Sequence, residues 1–325
     1  MTAQYSLDPN RRPDFAGVER AAEKIALILP PTPLLPLEVD GVILWCKAEM
    51  LQPIGAFKIR GAWHRLADLS REERLAGVVG VSSGNHAQGV AWAAKRLGIK
   101  ATIVMPENAP KSKILATREL GAEVVLYKRP GQDRDAIAAE IVKRTGAILV
   151  HPFADPWVIE GQGSLGIEAA AQLKAMGIDG PSHIIACCGG GGLSAGLALA
   201  CPDAKLSIVE PEGWDDVILS LAAGQIVYVA DQLYSTPCDA LQTPGTFPIN
   251  FEILKNRVYS SAVVTPAEIA AAMRLIFEKL HLVIEPGGAA ALAGVLSGKI
   301  MLQGTALITL SGGNVDAERF AAMIG

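Results

Sequence analysis

Three kinds of residue in this chain stand where they could do chemistry together: a lysine in an apolar setting, a run of four glycines, and short clusters of serine, glycine and asparagine. Lys58 sits in Pro53-Ile54-Gly55-Ala56-Phe57-Lys58-Ile59-Arg60-Gly61-Ala62, after the strand-like Val42 to Lys47. Taken alone, it reads as a solvated helix residue. Gly189-Gly190-Gly191-Gly192 falls between a strand-like and a helix-like segment. Backbone N–H groups of such a loop, unobstructed by Cβ atoms, converge on a phosphate at the positive end of the following helix. Its plainer reading is a flexible connector. There is no Walker-type GKS/T, and the spacing is not that of a dinucleotide fingerprint. The pair therefore points to a different phosphorylated ligand. A desolvated lysine deprotonates and forms a Schiff base with pyridoxal phosphate.

The elements that must position these groups follow from periodicity. Val78 to Val81, Ala101 to Met105, Ala122 to Tyr127 and Ala147 to His151 read as strands. Between them lie helical patterns over Gln88 to Leu97, Lys111 to Leu120 and Arg134 to Arg144, ended by Gly98, Gly121 and Gly146. This alternation predicts a parallel sheet flanked by helices. A second series runs from a helix over Trp157 to Met176 through strands His183 to Cys187, Lys205 to Glu210 and Ala306 to Leu310. Thr265-Pro266-Ala267-Glu268 has the pattern of a capping box with proline at the first helical position. The expected fold is α/β in two domains, each an open, mostly parallel sheet flanked by helices, with the cofactor in the cleft between them. Residues 1–70 and 152–325 form the larger, cofactor-binding domain and 71–151 the smaller. Ligands of open α/β sheets gather at the carboxyl ends of strands. Ser82-Ser83-Gly84-Asn85-His86, the glycine run and Ser311-Gly312-Gly313-Asn314 all follow predicted strands, so they should face one cleft.

Composition narrows the class by exclusion. The 325 residues carry 29 Lys+Arg against 33 Asp+Glu, a formal charge of −4, which gives no footprint for nucleic acid or an anionic membrane. The apolar stretch Ile25 to Leu37 is broken by four prolines, and no span reaches the ~20 apolar residues of a membrane helix. The five cysteines include no CxxC pair and are read as reduced thiols, implying a cytoplasmic protein. Glycine, at 33 residues, is in modest excess.

Gly-Ala-Phe-Lys-Ile-Arg-Gly-Ala at 55–62, Ser-Ser-Gly-Asn-His-Ala-Gln-Gly at 82–89, the tetraglycine and Ser-Gly-Gly-Asn at 311–314 occur in this order and at these separations. Together they resemble the pyridoxal-phosphate enzymes of the tryptophan synthase β fold (fold type II), in particular the threonine/serine dehydratase and serine racemase group. The resemblance runs from about Pro31 to Asn314. It implies that Lys58 is the Schiff-base lysine and that Gly189, Gly190, Gly191 and Gly192, with the Leu193 amide, hold the cofactor phosphate. It further implies that Asn85 bonds the pyridine 3-hydroxyl, Phe57 packs beside the ring and Ser311 faces the ring nitrogen. A hydroxyl there, unlike an aspartate, does not enforce a protonated ring, which favours elimination over deeper carbanion chemistry. Ala56 departs from the commonest pattern, where many relatives have serine.

For the substrate, the resemblance implies Ser83 on the face of Cα opposite the lysine. The start of the helix after Ser83, with Ser82 and His86, would take the α-carboxylate, and Arg134 would lie nearby. The acidic segment Glu210-Pro211-Glu212-Gly213-Trp214-Asp215-Asp216 follows a strand. Its two carboxylates six apart, with a carbonyl between, suit a hard divalent cation, and read alone they are a solvated helix start. Their spacing resembles the magnesium or calcium site of metal-activated members, with Glu210, the Trp214 carbonyl and Asp216 as ligands for magnesium, or for calcium or manganese in its place. The expected activity is dehydration of threonine or serine to a 2-oxo acid and ammonia. The alternatives are racemisation of serine and elimination from 3-hydroxyaspartate, for whose extra carboxylate Arg60, His64 and Arg134 are candidates. A homodimer is expected. An appended regulatory domain is not, since only eleven residues follow Asn314.

Overall fold

The computed structural model describes residues 11–82, 84–128, 131–229 and 235–325. Two sheets organise them. The first has six strands: β1 (Leu34–Val39), β2 (Val42–Ala48), β7 (His183–Cys187), β8 (Lys205–Pro211), β9 (Val258–Val264) and β10 (Ala306–Leu310), in the order β1-β2-β10-β7-β8-β9. Only β1 and β2 run antiparallel, joined at Asp40-Gly41, where both residues take positive φ (50° and 77°) as a two-residue hairpin requires. The second sheet is wholly parallel: β3 (Val78–Val81), β4 (Ala101–Pro106), β5 (Glu123–Tyr127) and β6 (Ile148–Val150), in the order β5-β4-β3-β6.

The helices are α1 (Phe15–Ala26), α2 (Lys58–Ala67), α3 (Arg71–Ala76), α4 (Asn85–Leu97), α5 (Lys111–Glu119), α6 (Arg134–Thr145), α7 (Pro156–Ala175), α8 (Gly192–Ala200), α9 (Asp216–Ala223), α10 (Pro248–Arg257), α11 (Pro266–Leu280), α12 (Pro286–Leu296) and α13 (Ala317–Ile324). The fold class is the expected one. The capping box of α11 is formed in both directions, Glu268 N to Thr265 Oγ1 and Thr265 N to a Glu268 carboxylate oxygen. Strand β9 and helix α10 were not anticipated from the pattern.

Helix α7 fixes the site. It lies against both α2, which begins at Lys58, and α8, which begins at the glycine loop. The contacts are backbone-close: a Cβ on Gly161 would come within 2.5 Å of Gly61 Cα, and one on Gly196 within 2.4 Å of the Ile159 carbonyl. Part of the glycine excess therefore serves to bring the lysine-bearing and glycine-loop helices onto one support. Helix α2 also packs on α4, and Ile59, Ala62 and Leu66 share a core with Val90, Ala91 and Ile103. The helix that starts at the lysine thus touches both sheet units.

Candidate active site

A cavity opens where the two sheet units meet. It is lined from the six-stranded side by Phe57, Lys58, Gly189 to Leu193 and Ser311, and from the four-stranded side by Ser82, Asn85, His86 and Arg134. The structure therefore brings together every described residue expected at the cofactor and substrate. Ser83 lies outside the described residues.

Lys58 and Ser311 are adjacent because two loops are stitched through their backbones. Phe57 N donates to Ser311 O (3.0 Å), Gly313 N to Gly55 O (2.9 Å), and Ala56 bridges Gly312. Lys58 Nζ donates to the Pro152 carbonyl at 2.6 Å. Desolvation pushes its pKa down to about 8, so a substantial neutral fraction exists near neutral pH. Phe57 packs beside the amine, its ring centroid 5.2 Å from Nζ.

The glycine loop follows β7 and enters α8 through Gly191, whose φ of +88° is open to glycine alone at little cost. No side chain caps α8, leaving its first N–H groups for an anion. A Cβ on Gly190 would lie 2.4 Å from the Phe153 ring and one on Gly192 2.9 Å from Phe153 Cα. Thr246 Oγ1 donates to the Gly190 carbonyl at 3.1 Å and holds the loop from behind. A phosphate at uncapped amides, a low-pKa amine across the cavity and a hydroxyl at Ser311 are the donor set that pyridoxal phosphate requires, so the residues fit that group.

Asn85 opens α4 and is clamped on both sides of its amide. Nδ2 donates to Glu285 Oε1 (2.5 Å) and Oδ1 accepts from Asn314 Nδ2 (2.8 Å). His86 Nε2 donates to the Val150 carbonyl (2.9 Å), and burial drives its pKa down to about 3. Its ring is neutral with a bare Nδ1, so it has no side-chain hydrogen to offer a carboxylate. Anything His86 gives such a group comes from its backbone. Ser82 Oγ accepts from Gly84 N at 3.1 Å, and Gly84 rather than a serine is the α4 N-cap. Arg134 opens α6 and is half-exposed, its nearest acid being Asp135 at 4.0 Å.

Of the other cations considered for a second substrate carboxylate, two point away. Arg60 is fully buried and bound by Glu49 and Glu168. His64 faces Glu160 at 3.3 Å. Sequence reasoning missed Glu285, Cys187 and the ion pair Lys113–Asp239 (2.6 Å), all in the cavity wall. Glu285 stands directly before Pro286-Gly287-Gly288, where it reads as an ordinary helix start.

Glu210 and Asp216 are apart from this cavity, at the end of β8 and the start of α9, both wholly buried. Glu210 accepts from Val217 N (3.3 Å) and Ile218 N (2.8 Å), while neither Asp216 carboxylate oxygen has a partner of hydrogen-bond geometry. Burial raises both pKa values, and Asp216 adds to the rise at Glu210. Two desolvated carboxylates with no basic partner demand either protons or a cation. Among the described residues no group of three His, Cys, Asp or Glu side chains is placed to hold a metal, so such a cation would depend on main-chain carbonyls and water.

A family model, "Pyridoxal-phosphate dependent enzyme", matches residues 25–312, and the chain belongs to that family. It is 40% identical to the L-threonine ammonia-lyase of Thermotoga maritima over 88% of this chain and 71% of that one. It is 36% identical to the L-threo-3-hydroxyaspartate ammonia-lyase of Saccharomyces cerevisiae over 96% of both. The structure of maize serine racemase superposes with a TM-score of 0.88 at 33% identity, covering 96% of this chain and 97% of that one. Such relatives mark the chain as a pyridoxal-phosphate-dependent enzyme of the ammonia-lyase type. Among the described residues no helix is long and apolar enough to cross a membrane.

Proposed function

We propose that the protein eliminates water from a β-hydroxy amino acid, L-threonine or L-serine, yielding a 2-oxo acid and ammonia. The observation that carries this reading is Lys58: an amine with its pKa lowered to about 8, directed into a cavity whose far wall is an uncapped glycine loop. Bound pyridoxal phosphate supplies the electron sink that makes the substrate Cα–H acidic. Lys58 Nζ removes that proton as general base and holds it for the departing hydroxyl. The backbone N–H groups at the start of α4, with the Ser82 hydroxyl, take the substrate carboxylate and orient Cα. The Phe57 ring excludes water beside Nζ. The enamine released by elimination tautomerises and hydrolyses in water to the 2-oxo acid and ammonia.

Phosphate binding at Gly189 to Gly192 and Leu193, the 3-hydroxyl contact of Asn85 and the ring-nitrogen contact of Ser311 belong to this proposal. So do the division into 1–70 with 152–325 and 71–151, a cytoplasmic location and a homodimer. A magnesium or calcium ion held by Glu210, the Trp214 carbonyl and Asp216 also belongs to it, supported by the unpartnered Asp216 oxygens.

One observation favours a second reading, elimination from 3-hydroxyaspartate: Arg134 lines the cavity 4.0 Å from Asp135 and offers positive charge to a second carboxylate, whereas Lys113 is taken up by Asp239 at 2.6 Å. Racemisation of serine would use Lys58 and Ser83 on opposite faces of Cα. Incubating holoenzyme with L- and D-threonine, L- and D-serine and the 3-hydroxyaspartate isomers, and measuring 2-oxo acid, ammonia and enantiomer ratio, separates the three. Absence of keto acid with all of them would sink the dehydratase reading.

A further inference from the structure

Cys187 and Ser311 end neighbouring parallel strands. Strands β7 and β10 pair in the register Ile185↔Ile308, and just past that ladder Cys187 Sγ donates to Ser311 Oγ at 3.3 Å. Both side chains are almost wholly buried and both line the cavity. Burial raises the Cys187 pKa, so the sulfur keeps its hydrogen and acts as donor. Lys58 and Glu285 are the charged groups that face it.

We propose that Cys187 is a positioning residue for Ser311: its thiol hydrogen occupies a lone pair of Ser311 Oγ, so that the serine presents its own hydrogen to the cofactor's pyridine nitrogen and holds that nitrogen unprotonated. The inference rests on the reading that Ser311 faces the ring nitrogen. A hydroxyl alone is indifferent, since it donates to a neutral pyridine and accepts from a protonated one. Next to a thiol donor the two cases differ. Among the described residues the only atom placed to accept the Ser311 hydrogen is the weakly accepting Cys187 sulfur, whose own hydrogen already points at Ser311 Oγ, so accepting a second hydrogen from a protonated ring would leave the serine hydrogen poorly paired in a buried site. Donation to a neutral ring leaves every group paired. Cys187 thereby removes the ambiguity that a serine at this position otherwise carries, and biases the cofactor toward the weaker electron sink suited to elimination.

Two measurements outside catalysis test this. The first is the S–H stretching band in the infrared, isolated as the difference between wild type and Cys187→Ala. It should sit at the frequency of a hydrogen-bonded thiol and move to that of a free thiol in Ser311→Ala. The second is the nitrogen NMR shift of ring-labelled cofactor in the holoenzyme. Cys187→Ala should move it toward the protonated value and weaken cofactor retention about fivefold, the worth of one neutral hydrogen bond. Cys187→Ser, which keeps a donor, should restore both. An unchanged ring shift in Cys187→Ala alongside a changed one in Ser311→Ala overturns the cysteine's role and leaves the placement of Ser311 standing. If neither variant moves the shift, the placement of the ring nitrogen fails as well. A free-thiol band in wild type overturns the proposal without any substitution at Cys187.

Discussion

The Asn85 amide joins three distant segments: it gives a hydrogen to Glu285 Oε1 at 2.5 Å and takes one from Asn314 Nδ2 at 2.8 Å. Its orientation is fixed before any ligand arrives. Glu285 bears the consequence, since burial pushes its pKa up to about 7 while Oε2 has no partner. Between about 4.5 and 7 the unfolded chain has released this proton and the folded chain retains it. The group's stabilising contribution is therefore complete below that window and is lost as pH rises through it, on the order of 3 kcal/mol in all. Denaturant unfolding of cofactor-free protein at pH 5 and pH 8 should show this slope, and Glu285→Gln should flatten it.

Such a residue shows where the sequence stopped being legible. The smaller sheet could be read because each helix is punctuated by a glycine, and Gly98 and Gly146 do end α4 and α6 in the left-handed conformation. The lysine, the glycine loop and Ser311 were legible because each lies in a motif that follows a strand. Strand β9 was not: it is a sheet edge, its first residues Val258, Tyr259 and Ser260 are at least partly exposed, and no apolar run announces it. Glu285, Cys187 and the Lys113–Asp239 pair enter the cavity through tertiary packing, which local pattern does not encode. The same holds for Arg60 and His64, whose acidic partners lie on other elements.

Lys58→Ala should remove the visible absorbance of the bound cofactor and all activity while leaving the far-ultraviolet circular dichroism unchanged. Because the neutral amine is the reactive form, reloading of wild-type apoprotein with pyridoxal phosphate should speed up as pH rises through about 8 and level off above it. Stopped-flow absorbance against pH gives the profile, and a flat one removes the lysine's role.

In the glycine loop the Cβ clearances rank two substitutions. Gly192→Ala places a methyl against Phe153 backbone at 2.9 Å, where nothing flexible can yield. Gly190→Ala meets the Phe153 ring at 2.4 Å, a clash that turning the ring can relieve in part. Both should weaken cofactor binding, Gly192→Ala by about 1–3 kcal/mol and more through the backbone than the ring. Fluorescence titration of the apoproteins with cofactor measures the order, and equal affinities to wild type would contradict the loop's assignment.

At Glu210 and Asp216, millimolar magnesium or calcium should raise the thermal midpoint of wild type and a chelator should lower it. A ligand at about a hundred times its dissociation constant stabilises by about 2.7 kcal/mol. Asp216→Asn removes one of the two buried charges, so this variant should be less sensitive to both additions. Identical melting curves with cation and with chelator would leave the pair as a protonated structural contact.

Arg60 and Arg134 divide the work of charge between fold and substrate, and the two substitutions should separate cleanly. Arg60 Nε and Nη2 reach Glu49 at 2.7 and 2.8 Å, and Nη1 and Nη2 reach Glu168 at 3.0 and 2.9 Å. Removing the guanidinium leaves Glu49 in the interior with the neutral donors Thr32 and Gln52 and a Lys47 whose direct ion pair is to Glu168. Arg60→Met should therefore cost about 3–5 kcal/mol of stability. The preference among substrates should stay as in wild type, because the side chain never meets the cavity. Arg134 is the opposite case. Its side chain is 43% exposed and Asp135 stands 4.0 Å away, so Arg134→Met should fold as wild type. If a second carboxylate is recognised here, this variant raises KM for 3-hydroxyaspartate far more than for L-threonine, with kcat for threonine nearly unchanged. Equal effects on both substrates would confine Arg134 to the common α-carboxylate, and no effect on either would leave it a solvated helix residue.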